Sequence, residues 1–232
     1  MKFSPKRTLI AIVCALLFTA PATYAVDGCS SASFKLATRI ELQATPFGIV
    51  VADFNTDGHL DIAVSPNNGA GEIIILLGKG GTDKFGPPTA FPAGGDPRRM
   101  TGGDFNGDGK LDLAVSLDSF SVSPAHRLTV LLNDGNGKFG APIPTDLVGD
   151  PTSPVAADVN NDGKLDIVTA LFTGSSAAPV EVLLGNGLGG FTHAPNSPFA
   201  TFSVNSTSLV VGDFNEDGKR DIALPGTSFG QL

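Results

Sequence analysis

Short apolar runs, rich in β-branched residues and broken by Gly, Pro, Asn and Asp, recur along the chain from about residue 48 onward. Four of them, Gly48 to Ala52, Met100 to Gly103, Pro154 to Ala157 and Ser208 to Gly212, each lead into an acidic segment. Four others leave those segments: Ile62 to Val64, Leu113 to Val115, Ile167 to Thr169 and Ile222 to Leu224. In the first three repeats a third run follows, Glu72 to Leu77, Arg127 to Leu132 and Val180 to Leu184. Each third run ends in a Gly-rich turn (GKGGTDKFG, NDGNGKFG, GNGLGGF), and the Phe closing the turn, Phe85, Phe139 or Phe191, is expected to open a fourth strand. Runs this short and this β-branched predict strands, not helices. They are apolar almost without interruption, which predicts sheets buried on both faces. Four antiparallel strands at a period above 50 residues predict the blades of a β-propeller, with the three recurrent Phe residues as packing between blades.

The acidic segments carry the chemistry. They read DFNTDGHLD from Asp53, DFNGDGKLD from Asp104, DVNNDGKLD from Asp158 and DFNEDGKRD from Asp213, starting 51, 54 and 55 residues apart. All four have Asp at positions one, five and nine, Asn at three and Gly at six. Alternating carboxylate and carboxamide oxygens around a glycine bend suit a hard cation that takes six to eight oxygens, Ca²⁺ before the tighter and more hydrated Mg²⁺. The expected ligand sets are Asp53, Asn55, Asp57, the His59 carbonyl and Asp61; Asp104, Asn106, Asp108, the Lys110 carbonyl and Asp112; Asp158, Asn160, Asp162, the Lys164 carbonyl and Asp166; and Asp213, Asn215, Asp217, the Lys219 carbonyl and Asp221. An EF-hand begins alike but needs Glu at position twelve and a helix on each side. Position twelve here is Val64, Val115, Thr169 or Leu224. Ordinary turn preference accounts for two or three such residues in a loop, not for five fixed positions in four copies.

Composition narrows the function classes. The chain has 29 Gly, 17 Pro and 16% charged residues, which suits short strands and many turns over helical bundles. Its formal charge is −8, and the three recurrent Asp positions supply twelve of the 23 acidic residues. No basic stripe is visible, so no nucleic-acid partner is expected. Residues 1–25 read as a signal peptide, with Lys2, Lys6 and Arg7 before an apolar run from Leu9 to Phe18 and small residues up to Ala25. That run is about half the length needed to span a bilayer, so no membrane span is expected after cleavage, and the mature chain is expected to be secreted, periplasmic or at the cell surface. Cys14 leaves with the leader, and Cys29 alone closes no internal disulfide; lipidation at Cys29 is a lesser alternative.

Loops and strands together resemble the FG-GAP and VCBS-type repeats of integrin-α-like β-propellers, over about residues 34–232. The resemblance implies an all-β propeller of about four blades, either a closed small ring or part of a larger one, and up to four Ca²⁺ held one per loop. Residues 26–33 are then a short linker. The expected function is a non-catalytic binding or adhesion module for an extracellular protein or glycan, with recognition by the variable loops Ser116 to His126 and Leu171 to Pro179. The alternative is an accessory domain or fragment of an extracellular carbohydrate-active or other hydrolytic enzyme. Catalysis finds little support: His59, His126 and His193 lie in unlike contexts, and the G-x-S-x-G match at Gly226 to Gly230 lacks room for the helix a nucleophile elbow needs. The fourth repeat has no third strand, so Phe34 to Leu42 is expected to cover Ile222 to Leu224, within one ring or between two chains by self-association.

Overall fold

A computed structural model describes residues 40, 42, 45–81, 85–118, 126–173, 179–201 and 208–225. The leader, Cys29, the closing Gly226 to Gly230 match and most of Phe34 to Leu42 and of the two variable loops lie outside the described residues. All described regular structure is β. The first blade is β1 (Thr45–Ala52), β2 (Asp61–Asn67), β3 (Glu72–Leu76) and β4 (Thr89–Pro92), paired antiparallel in that order. The second repeats it with β5 (Pro97–Gly103), β6 (Asp112–Leu117), β7 (Arg127–Leu131) and β8 (Ile143–Asp146). The third comprises β9 (Asp150–Pro151) and β10 (Val155–Ala157), both paired with β11 (Asp166–Phe172), then β12 (Val180–Gly185) and β13 (Phe191–His193). The fourth is the two-stranded sheet β14 (Val210–Gly212) and β15 (Asp221–Ala223).

The strands were legible from their apolar runs, with two differences. First, the incoming strand is longer than its run but broken. Register slips between Pro46 and Gly48 in β1 and between Pro97 and Met100 in β5, and in the third blade the same break separates β9 from β10. Prolines withhold amides from the ladder there, and side-chain hydroxyls patch the gap: Ser65 Oγ accepts the Gly48 amide at 2.7 Å, and Ser116 Oγ accepts that of Arg99 at 2.9 Å. Second, only Phe191 opens its fourth strand. Phe85 and Phe139 make single bridges to Gly78 and Asn133, and β4 and β8 start four residues later. Pro87–Pro88 and Pro142 interrupt the ladder between.

The second and third blades are buried on both faces, and alternation along a strand decides which neighbour a side chain meets. On the second blade Leu113, Val115, Leu117 and Leu131 pack with Phe54, Ile73 and Ile75 of the first. Their neighbours Ala114, Leu128 and Val130 face the other way, onto Ile167, Leu171 and Leu183 of the third. Val168, Ala170 and Val182 then meet Leu209 at the start of the fourth. Each fully buried Leu or Ile contributes about 1.5–3 kcal/mol. Edge-on aromatic pairs hold the loop end of the interfaces: Phe139 packs on Phe54 and on Phe91 at 5.6 Å, and Phe191 on Phe105 at 5.7 Å.

Candidate cation loops

Each acidic segment is the tip joining the first two strands of a blade, and all four adopt one backbone form. The glycine at position six is left-handed, with φ of 86° at Gly58, 80° at Gly109, 82° at Gly163 and 84° at Gly218. Position four is left-handed too, at Thr56 (58°), Gly107 (75°), Asn161 (59°) and Glu216 (62°). These two reversals coil the loop so that its amides point at its own side-chain oxygens. Asp53 accepts the amides of Asp57 at 3.1 Å and Gly58 at 2.8 Å, Asn55 Oδ1 accepts that of Asp57 at 3.2 Å, and Asp57 Oδ1 accepts that of His59 at 2.8 Å. The same four bonds recur around Asp104, Asn106 and Asp108, around Asp158, Asn160 and Asp162, and around Asp213, Asn215 and Asp217. Asp57, Asp108 and Asp162 are held below the ordinary carboxylate range, chiefly by the amide of the seventh residue.

Position nine does something the sequence did not announce. Asp61, Asp112 and Asp166 are fully buried, and each staples its loop to the end of the third strand. One oxygen accepts the amide of loop position two, at Phe54, Phe105 or Val159; the other accepts the amide of Gly78, Asn133 or Gly185, all at 2.7–3.0 Å. Asp221 makes the first bond, to Phe214, and is half-buried. Burial, above all, pushes Asp112 up to about 6, with the charges of Asp108 and Asp104 adding to it and the Asn133 and Phe105 amides opposing it. Position seven also has a partner. His59, Lys110 and Lys164 lie across Gly80, Gly135 and Gly187 of their own blade's turn, where a Cβ would stand 2.6, 2.8 or 3.2 Å from them. The Lys110 ammonium is 3.2 Å from Asp108, and that of Lys164 is 3.8 Å from Asp162.

Positions one, three and five are thus brought together in every loop, with the position-seven residue beside them, while the position-nine carboxylate is committed to the blade. Among the described residues no three His, Cys, Asp or Glu side chains are gathered as a metal group. The set each loop offers is mixed: two carboxylates, a carboxamide and a carbonyl. An ionised carboxylate has about four acceptor sites, and the amide bonds to each carboxylate leave some of them free. An all-oxygen set of this kind fits Ca²⁺, with water completing the shell. Position twelve cannot contribute, since Val64, Val115 and Thr169 are buried in the outgoing strands. The other histidines sit apart from the loops: His126 Nδ1 is 2.6 Å from Asp150, and His193 Nδ1 is 3.0 Å from the buried Glu181.

A family model described as FG-GAP-like repeat matches residues 53–115 and 116–169, together just over half of the chain. Human cartilage acidic protein 1 is 28% identical over 151 residues, covering 60% of this chain and 22% of the human protein. Its mouse counterpart is 29% identical over 150 residues with the same coverage. The matched region is therefore under a quarter of the length of these curated relatives. Among solved structures, the V. cholerae biofilm matrix protein Bap1 aligns with 78% of this chain and 28% of its own, at 19% identity and a TM-score of 0.42.

Proposed function

The chain belongs to the FG-GAP-like repeat family, and from that premise we propose that it is an exported, calcium-stabilised propeller module that binds an extracellular protein or glycan and has no chemistry of its own. The observation that carries this reading is the fourfold recurrence of one loop form, in which the Asp, Asn and Asp oxygens at positions one, three and five are held by the loop's own amides. Residues Asp53, Asn55 and Asp57 and the His59 carbonyl would hold the first ion, with the matching residues holding the others. The bound ion supplies charge neutralisation and a fixed loop shape. The chain's part is to aim the oxygens. The relatives are named for cartilage, which supports an extracellular setting.

Binding without catalysis is tested by exposing the calcium-loaded chain to glycan and extracellular-protein arrays beside a broad glycosidase and esterase screen. The reading expects a saturable binder that is lost in chelator, with no turnover. Turnover of any substrate, abolished by a point substitution outside the loops, would contradict it.

A further inference from the structure

Resting on the cation reading above, we propose that Asn133 couples cation binding in the first loop to cation binding in the second. Asn133 lies two residues beyond β7 of the second blade, is 3% exposed, and makes four hydrogen bonds at once. Its backbone amide is the one that Asp112, position nine of the second loop, accepts at 2.8 Å. Its side-chain Nδ2 donates to the Phe54 carbonyl at 2.8 Å and to the Leu111 carbonyl at 3.1 Å, while Oδ1 accepts the Gly135 amide at 3.0 Å. Phe54 lies between the ligand positions Asp53 and Asn55 of the first loop. Leu111 lies between Lys110 and Asp112 of the second. One carboxamide therefore grips the backbone of both loops, at peptides that adjoin their ligands.

The equivalent residues of the first and third blades are Gly78 and Gly185. Their amides make the same bond to position nine, at 2.7 and 2.9 Å. A Cβ on them would meet the Leu60 carbonyl at 2.3 Å and the Leu165 carbonyl at 2.2 Å, so neither place accepts a side chain as it stands. One blade-to-blade bond at the loops is common to both interfaces: the Gly137 amide reaches the Phe54 carbonyl at 3.1 Å, and the Gly189 amide reaches the Phe105 carbonyl at 3.0 Å. The first interface has two side-chain bonds beyond the second, from the exposed Thr56 hydroxyl to the Gly135 carbonyl at 3.5 Å and from the buried Asn133 carboxamide, and of the two Asn133 is the one that also holds the second loop. A cation that orders the first loop fixes the Phe54 carbonyl; that fixes the carboxamide, and with it the Leu111 peptide. The second loop then has less ordering left to undergo on binding, which is positive coupling, and by linkage it is reciprocal. Asn133 is a positioning residue in this scheme and touches no ion.

The test follows the amide NMR signals of Gly58, Gly109 and Gly163 while the chelator-treated full chain is titrated with CaCl₂, so that three loops are read separately. Asp57→Ala, which disables the first loop, should lower the affinity of the second by about fivefold or more. In an Asn133→Gly background, which keeps the amide bond to Asp112, Asp57→Ala should leave the second loop unchanged, and Gly163 should titrate alike in all variants. Hydrogen exchange at the Asp112 amide, which shares its peptide with the Leu111 carbonyl, should slow on filling the first loop only when Asn133 is present. If Asn133→Gly does not fold, Asn133→Asp keeps the shape and the Gly135 contact, removes both donated bonds, and should uncouple the loops equally. An equal fall in both backgrounds, or no fall in either, overturns the coupling while leaving the cation reading intact. A purely structural role would weaken all three loops alike. A parent chain that binds no Ca²⁺ at any loop overturns both.

Discussion

Each loop is decided by a few residues with separate duties. Asp57 offers an oxygen that its neighbours' amides already orient, whereas the Thr56 hydroxyl is turned to the Asn55 carbonyl at 2.8 Å and the Gly135 carbonyl at 3.5 Å. Calorimetry should therefore find one calcium fewer bound by Asp57→Ala and the parent stoichiometry in Thr56→Ala. Gly58→Val should lose that ion as well. No atom lies within 4 Å of the space a Cβ would fill, so the harm comes from the φ of 86° and not from crowding. By the same reasoning Thr56→Asn should stabilise the chain by about 0.5–1 kcal/mol in a thermal melt, since Asn tolerates the left-handed form better than a β-branched residue and already holds that place at Asn161. Positions one, three, five and six were legible because the residue itself is repeated. The left-handed fourth position was not, because Thr, Gly, Asn and Glu all occupy it and no residue type marks it. The destination of the ninth carboxylate was hidden for another reason: a sequence names an acceptor but not the distant amide that will reach it.

At the scale of strands and blades, the position-nine staple is a stability device independent of metal. Asp112→Ala would strand two buried amides, those of Phe105 and Asn133, at about 1–3 kcal/mol each. Urea denaturation in chelator, where no ion contributes, should show a loss of about 2–5 kcal/mol for Asp112→Ala and well under half of that for Asp221→Ala. Among the described residues Asp221 holds a single amide, and it is half-buried. Similar losses at both would mean that the second bond, to the end of the third strand, contributes nothing. The strands themselves were readable from their apolar runs, and their pairing from the fixed order of parts within a repeat. The slips at Pro46 and Pro97 and the late start of β4 and β8 were not anticipated, although the prolines responsible are plain in the sequence. Proline withdraws one donor, and how far the ladder then shifts depends on what else can bond nearby. Here Ser65 and Ser116 supply the bond.

For the molecule as a whole, neighbouring blades share their cores, so stability should pass along the array from interface to interface. The second and third blades bury both faces, while the fourth contributes a two-stranded hairpin whose Val210, Phe214 and Ile222 are exposed among the described residues. Phe214 stands where Phe54 and Phe105 stand in their loops, and those two are covered by Phe139 and Phe191 of the following blade. The central claim concerns the loops, since four acidic tips concentrate repulsion that a cation would relieve, and any ligand confined to the folded state raises its stability by RT ln(1 + [L]/Kd). At a hundredfold excess over Kd that is about 2.7 kcal/mol for each site. The most direct test is the thermal unfolding of the chain in chelator against the same chain in millimolar Ca²⁺. A large rise in Tm with calcium, growing with its concentration, is the result predicted here; superimposable melting curves would contradict it.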